Sequence, residues 1–378
     1  MIKLNHRGIT LNLHEEIIGV VSSGSGEKNI LLISDASEIN EDFDGQAILV
    51  DRKVSLDSLP YSIRSKIIVT DIETEDIELG DIILLTPNGK IRSLFRKASE
   101  HNSLFITDRC NSNCLMCSQP PKNKDDLSYF YDVNQILVSL MPKDVKQLGI
   151  TGGELTLLGT KFINLLSHTT SNLPNTHIHV LTNGRSFAWL PYVKRLQEID
   201  ISNIVFGIPL YSDYFLNHDY IVQSSNAFTQ TMQGLYNLAR YNSRIEIRIV
   251  LHKQTYHRLP KLAKYIQKNL PFVEHVAFMG LEYVGHTLLN RDSLWIEPGE
   301  YMNELEEAVT HLDSFGMEVS IYNLQHCLLK ESLWKFSRNS ISDWKQEYLS
   351  ECIRCTKINE CGGVFATSKR LSTEIHAI

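Results

Sequence analysis

The seven cysteines of the chain fall into two groups, and the first is the tighter: Cys110-x3-Cys114-x2-Cys117. Three thiolates on one short loop can hold three irons of a four-iron, four-sulfur cube and leave the fourth iron without a protein ligand. By analogy with zinc, a saturated centre is structural and an open position is where chemistry happens. The same residues also fit a zinc knuckle completed by a remote ligand, or free buried cysteines. The second group is Cys352-x2-Cys355-x5-Cys361, followed by Gly362-Gly363, with Cys327 far upstream. Four thiolates saturate either one zinc ion or a second cluster. An odd cysteine count argues against a disulfide framework.

Such loops need elements to position them. The chain has 378 residues, 43% hydrophobic and 21% charged, which are globular values. The length suggests two or three domains. With 37 basic and 44 acidic residues the net charge is −7, which argues against a broad nucleic-acid or membrane-surface footprint. No apolar run reaches the roughly eighteen residues of a transmembrane helix. The segment Met1 to Gly19 carries Glu15 and Glu16 and lacks a signal-like apolar core. The cytoplasm is the expected compartment.

Residues 1–100 read as a separate β-rich domain. Its runs are Ile30 to Ile33, Ala47 to Val50, Lys66 to Thr70, Asp81 to Thr86 and Lys90 to Phe95, with Pro87-Asn88-Gly89 between the last two. Asn-Gly between two such runs signals a hairpin. From 101 to 290, candidate strands alternate with amphipathic, helix-like stretches near 132–141, 159–173, 187–198, 226–241 and 258–269. The strands are Leu104 to Thr107, Lys146 to Thr151, Ile178 to Thr182, Ile204 to Leu210, Ile245 to Leu251 and Val276 to Leu281. That alternation implies parallel pairing with right-handed crossovers. Either an open doubly wound sheet or an incomplete barrel satisfies it. Residues 291–378 form a tail with a helix from Pro298 to Phe315, a strand from Glu318 to Tyr322 and a loop-rich, cysteine-bearing end.

The first cysteine group directly follows the first of these strands, Leu104 to Thr107. Thr151-Gly152-Gly153-Glu154 ends the second, where two glycines permit close backbone approach and a carboxylate can pair with an ammonium. Thr182 and Asn183 close the third strand, Ser212 follows the fourth, Arg248 lies on the fifth and Met279 on the sixth. All sit toward C-terminal strand ends, the face that carries sites in barrels of this kind.

These motifs, in this order, resemble the radical S-adenosylmethionine (radical SAM) family. The resemblance implies an α/β fold, a partial (β/α)6 TIM-like barrel. It implies a 4Fe-4S cluster on Cys110, Cys114 and Cys117, whose open iron binds the amino and carboxylate groups of S-adenosylmethionine. In that family the reduced cluster breaks the C–S bond, and a 5′-deoxyadenosyl radical takes a hydrogen atom from substrate. Carried over, Gly152, Gly153 and Glu154 meet the amino group, with Leu155 replacing the usual proline. Thr182, Asn183 and Ser212 face the ribose, the amino acid moiety or the substrate, and Arg248 faces the carboxylate. Met116 and the stretch around Met279 lie against the adenine. Each has a plainer reading: a turn at Gly152-Gly153-Glu154, a strand end at Thr182, an interhelical or solvated Arg248 or one buried against Glu282, and a helix-start pair at His218 and Asp219.

The tail spacing resembles the twitch and SPASM auxiliary-cluster extensions of peptide-modifying members. It implies a second 4Fe-4S cluster on Cys327, Cys352, Cys355 and Cys361, with zinc as the alternative. The stretches 107–121, His218 to Val222, Met279 to Glu282 and Ser342 to Lys345 are similar to the C-component maturases of the His-Xaa-Ser peptide system. That similarity implies a precursor-peptide substrate and a second radical SAM maturase as partner; the radical chemistry needs an electron donor of the flavodoxin or ferredoxin type. Neither nucleic acid nor membrane is an expected partner. The competing functions are a radical enzyme acting on a small metabolite and a zinc-stabilised binding module without catalysis.

Overall fold

The computed structural model describes residues 4–24, 26–35, 38, 42–339, 346–366 and 372–378. It separates into two compact units. One comprises residues 1–104, 131–148 and 171–176, the other residues 105–130, 149–170 and 177–378.

The first unit is built on an eight-stranded sheet: β1 (Asn5–Arg7), β2 (Ile9–Leu11), β3 (Ile17–Ser22), β4 (Asn29–Ile33), β5 (Ala47–Asp51), β6 (Ile68–Ile72), β7 (Ile82–Leu85) and β8 (Lys90–Phe95). The order is β1-β8-β7-β3-β4-β5-β6-β2. The expected hairpin is present, with β7 and β8 antiparallel and Leu85 opposite Ile91. β1 and β2 stand at opposite edges of this order, yet only Gly8 separates them in sequence. The segment 5–11 therefore bridges the two edges and closes the sheet on itself, which removes exposed strand edges. A Cβ on Gly8 would collide with Ile72 and with the Thr70 carbonyl. β3 to β6 pair in parallel, and β4, β5 and β6 are buried on both faces, as apolar runs of this kind require. Val21, Ile30, Leu49, Val69, Ile83 and Ile91 fill one core. Phe43, Ile48, Val50 and Leu59 fill another, with Ile63 from the single-turn α1 (Tyr61–Arg64).

A seven-stranded sheet follows: β9 (Ser103–Phe105), β10 (Gln147–Thr151), β11 (His177–Leu181), β12 (Ile204–Pro209), β13 (Arg244–Leu251), β14 (His275–Gly280) and β15 (Glu318–Tyr322), in the order β15-β14-β13-β12-β11-β10-β9. β11 to β15 pair in parallel throughout. The helices between strands are α2 (Leu127–Leu140), α3 (Thr160–Asn172), α4 (Leu190–Leu196), α5 (Phe215–Val222), α6 (Ala227–Arg240) and α7 (Leu259–Asn269). This is the expected α/β fold of the partial-barrel type. The strand Glu318 to Tyr322, read from sequence as part of the tail, adds to this sheet as its seventh strand beside β14. Its register, Val276 opposite Val319 and Phe278 opposite Ile321, continues the apolar rows of the barrel. The helix expected over 298–315 is α10 (Pro298–Ser314), started by a capping box between Glu297 and Glu300. It follows two single turns, α8 (His286–Leu289) and α9 (Arg291–Leu294). A short pair, β16 (Gln346–Glu347) and β17 (Val364–Phe365), lies in the cysteine-bearing end. Ser342 to Lys345 lie outside the described residues.

Candidate active site

The loop 108–118 leaves β9 and is tied down from several directions. Thr107 Oγ1 and the Asp108 amide both donate to the Asp126 carboxylate. The Asn113 and Leu115 amides donate to the carbonyls of Val222 and Ile221 at 3.0 and 2.9 Å, which are orphan acceptors at the end of α5. Gly285, at φ +60°, brings α8 against the loop, and a Cβ there would overlap the Cys117 carbonyl. The His286 amide then donates to Cys117 O at 2.9 Å, and Asn290 Nδ2 donates to Leu115 O at 2.8 Å. Arg185 closes the remaining side, donating to Asn111 O and, at 2.9 Å, to Ser112 Oγ.

Cys110, Cys114 and Cys117 are all partly buried and carry free thiols. Burial pushes the Cys114 thiol up to about 12, and the neighbouring Cys117 and Cys110 charges add to the rise. Cys110 rises to about 11 through burial and the Glu154 carboxylate. Three thiols that resist ionisation this strongly need a bound cation to become thiolates. Among the described residues, no three His, Cys, Asp or Glu side chains converge on one point as ligands of a single ion would. A cube puts each thiolate on a different iron, so a partly buried, mutually coupled trio on one clamped loop fits it.

Gly152 and Gly153 behave as the sequence requires. Gly152 has φ +148°, and a Cβ on Gly153 would overlap the Arg109 carbonyl. Gly153 N donates to Thr107 O and Glu154 N to Arg109 O, both at 2.7 Å. The turn therefore lies flat against the root of the cysteine loop. Glu154 is fully buried. Its Oε1 accepts from Thr156 N at 3.1 Å, Thr156 Oγ1 at 2.6 Å and Thr182 Oγ1 at 2.7 Å, and Oε2 accepts from Asn183 N at 2.8 Å.

The remaining expected residues are placed as follows. Thr182 and Asn183 hold Glu154, and Asn183 Nδ2 also reaches Asn111 Oδ1 at 2.6 Å. Ser212 is buried and accepts from Tyr214 N at 3.1 Å, which shapes the start of α5. Met116 packs in an apolar bed with Tyr211, Ile221, Val222 and Leu294. Arg248 pairs with Glu246, at 2.9 Å, rather than with Glu282, and its Nη2 rests 3.0 Å from Met279 Sδ. His218 does not start a helix. It lies within α5, its Nδ1 accepts from Tyr211 N at 3.3 Å, and burial lowers it to about 4, while Asp219 Oδ1 accepts from Phe228 N in α6 at 2.7 Å. Residues the sequence did not single out include Arg185, Asp126, Gly285, His286, His179 and His275. Only Arg185, two residues beyond Asn183 at a strand end, carried a local signal.

In the tail, the Cys327 thiol is raised by burial, receives a backbone hydrogen bond from His376 and feels the charges of Cys361 and Cys352. Cys355 N donates to Cys352 O at 3.0 Å. Gln325 Nε2 bonds Gly363 O at 2.7 Å, which ties the neighbourhood of Cys327 to that of Cys361. An apolar groove joins strand-end residues Leu251, Gly280 and Leu281 to Val364 and Phe365 of the tail.

Residues 104–266 match the sequence profile of the Radical SAM superfamily. The matched stretch resembles a radical SAM domain and covers less than half of the chain. The match supports an enzyme, and the superfamily implies a 4Fe-4S cluster and S-adenosylmethionine. Among curated proteins, the uncharacterized protein MJ0907 of Methanocaldococcus jannaschii is 25% identical over 184 residues, 47% of this chain and 62% of that protein. Among solved structures, SuiB of Streptococcus suis bound to S-adenosylmethionine is similar at 16% identity and a TM-score of 0.46, covering 58% of this chain and 50% of that one. The structure of anSMEcpe with bound AdoMet and a peptide is similar at 19% identity and a TM-score of 0.42, covering 58% of this chain and 62% of that one. The chain thus spans about three fifths of the curated relative and half of SuiB. No helix among the described residues is long and apolar enough to cross a membrane.

Proposed function

We infer that the chain is a radical SAM maturase that abstracts hydrogen from a ribosomally synthesised precursor peptide. The observation that carries the radical chemistry is the clamped Cys110, Cys114 and Cys117 loop at the end of β9, pressed against buried Glu154. When bound, a 4Fe-4S cluster supplies the electron that splits S-adenosylmethionine into methionine and a 5′-deoxyadenosyl radical. The residues of the chain orient and shield. Glu154 Oε1 is filled by three donors, whereas Oε2 has one, so Oε2 retains acceptor capacity for an ammonium. Thr182 and Asn183 fix that carboxylate, and Ser212 shapes the turn after β12 through Tyr214 N. Arg248 keeps guanidinium donors for a carboxylate, because a thioether is a weak acceptor. Met116 would offer the adenine an apolar face, and Met279, on β14, packs its sulfur on Arg248.

The peptide substrate, of the His-Xaa-Ser type, rests on the sequence similarity of the C-component stretches. The same similarity supports a second radical SAM maturase as partner. A flavodoxin- or ferredoxin-type donor would supply the electron. Cys327, Cys352, Cys355 and Cys361 would hold the second cluster; the electrostatic coupling of Cys327 to two of the others supports it as the fourth ligand.

The test is anaerobic incubation with S-adenosylmethionine and a chemical reductant, with and without the precursor peptide encoded nearby. The wild type is expected to form 5′-deoxyadenosine and to change the peptide mass, and Cys114→Ala to form none. Formation by Cys114→Ala at the wild-type rate would refute the radical reading, and an unchanged peptide mass would refute the substrate.

A further inference from the structure

Parallel strands buried on both faces are normally apolar throughout. β11, β13 and β15 depart from that rule in step. They read His177-Ile178-His179-Val180, Arg244-Ile245-Glu246-Ile247-Arg248 and Glu318-Val319-Ser320-Ile321-Tyr322. Every second residue is polar, so the polar residues share one face of the sheet. On that inner face Glu246 Oε2 lies 2.7 Å from His275 Nδ1, and His275 Nε2 lies 2.9 Å from Ser320 Oγ. Tyr322 lies two residues beyond Ser320 on the same face of β15, close enough for Ser320 to act on its phenol. Carboxylate, imidazole and hydroxyl form a hydrogen-bonded line across three adjacent strands, and the phenol stands at its end. The line ends at Tyr322, the last residue of β15, at the strand ends from which the site loops leave.

The line is built into the barrel. Glu246 and Ser320 are only 6% and 5% exposed. Glu246 Oε1 faces Arg248 Nη1 at 2.9 Å and His179 Nε2 at 3.3 Å. Gly207 makes room for both: a Cβ there would stand 2.8 Å from His179 Nε2 and 3.1 Å from Arg248 Cδ. Burial works to raise the Glu246 carboxyl, but the two histidines and Arg248 hold it far below the carboxylate range. Burial and the Glu246 charge raise the Tyr322 phenol, which is therefore neutral at neutral pH. Buried Tyr211, which packs with Met116 of the cysteine loop, feels both the thiols of that loop and Arg248 of this face.

We propose that Glu246, His275, Ser320 and Tyr322 form a proton relay that takes a proton from the substrate at the mouth of the barrel. The proposal rests on the radical SAM reading and deepens it. An O–H or N–H group becomes more acidic once the carbon bearing it is a radical, and the relay supplies its acceptor. The substrate proton moves to the Tyr322 oxygen as the phenol proton passes to Ser320 Oγ and the Ser320 proton passes to His275 Nε2. His275 ends as an imidazolium facing the Glu246 carboxylate, the substrate ends one proton poorer, and no electron changes hands. A carboxylate that fixes the imidazole tautomer and stabilises its charged form is the logic of an acid-His-hydroxyl triad. Tyr322 is the group that meets substrate; Glu246 is a positioning residue. The other charged or titratable groups around the line are His179, Arg248, Glu318 opposite His275 and Arg338 near Tyr322.

The first test needs no substrate. In the anaerobically purified, cluster-loaded protein with 15N-labelled histidine, the His275 imidazole signals are assigned by their loss in His275→Gln. At neutral pH we expect a proton on Nδ1 and none on Nε2, and a shift of the Nε2 signal in Ser320→Ala. A doubly protonated ring across pH 6–9, or a proton on Nε2 instead of Nδ1, overturns the relay. The second test uses the precursor peptide and reads modified peptide per 5′-deoxyadenosine formed. Tyr322→Phe should lower that ratio by roughly a hundredfold, and Glu246→Gln should move the acid limb of its pH profile. An unchanged ratio in Tyr322→Phe overturns the relay, whereas a wild type that forms no 5′-deoxyadenosine sinks the radical reading and leaves the imidazole result standing.

Discussion

His218 and His252 show what burial does to a single titratable side chain in this barrel. Burial lowers His218 to about 4 and His252 to about 3, so both are neutral near pH 7. Their folded values lie below the ordinary 6.5, which fixes the sign of the linkage. Stability is complete above pH 6.5, where neither state binds the proton, and it falls as the pH drops toward 4, because the unfolded chain protonates first. For His218 the loss by pH 4 is about 3 kcal/mol. We expect His218→Gln to lower stability at pH 7, through the lost hydrogen bond from Tyr211 N, and to flatten the acid side of the curve. Denaturant midpoints at pH 7, 5.5 and 4.5 check this; an equally steep acid loss in the variant would contradict it. The same scale explains why Glu154 was legible from sequence but its partners were not. Gly-Gly-Glu is a local pattern, whereas Thr182 and Asn183 reach it from another strand.

Elements hold the cysteine loop in place chiefly through backbone, and glycine positions decide how closely they approach. Gly153 lies against the Arg109 carbonyl and Gly285 against that of Cys117. We expect Gly153→Ala to fold but to displace the loop, which would roughly halve the iron bound per chain if two clusters are present. Gly159 offers the contrast. It has φ +58° and ψ −128° and nothing within 4 Å of a Cβ, so Gly159→Ala should cost roughly 1–3 kcal/mol of backbone strain and keep its iron. Iron analysis and thermal melts of the two variants separate approach from strain, and equal iron in both would show that the Arg109 contact does not matter. Strand and helix positions were largely readable: the helix expected over 226–241 is α6 at 227–240, and that over 258–269 is α7 at 259–269. Three strands of the eight-stranded sheet were missed: β1 and β2 are three residues each, too short for any period to show, and β3 (Ile17–Ser22) was missed although it has six.

Over the whole molecule, chain closure joins residues that lie far apart in sequence. The second cysteine group is one case: Cys327 enters a short turn after β15, and only the fold of the tail brings it near Cys352 and Cys361. If these residues hold a second cluster, the anaerobic protein should carry about eight irons per chain and Cys355→Ala about four, while still forming some 5′-deoxyadenosine without peptide modification. Iron and zinc analysis of both proteins decides the point. Four irons and one zinc in the wild type would assign the tail to zinc. The closure of the eight-stranded sheet by residues 5–11 is a second case, since neither edge carries a sequence mark of its partner.

By itself the sequence determined the cysteine loop, the Gly-Gly-Glu turn, the alternation of strands with helices and the hairpin at Asn88-Gly89. Each depends on neighbours within a few residues, where spacing and backbone propensity act directly. The tertiary structure alone decided that Arg248 pairs with Glu246, that Glu318 to Tyr322 is a barrel strand, and that His275 bridges Glu246 and Ser320. Arg248 and Glu246 lie two apart on β13 and share a face only because the strand is extended; the other contacts cross strands dozens of residues apart. The alternation of polar residues along β13 and β15 was visible in the chain, but which faces meet is set by register, and register exists only once the sheet has formed.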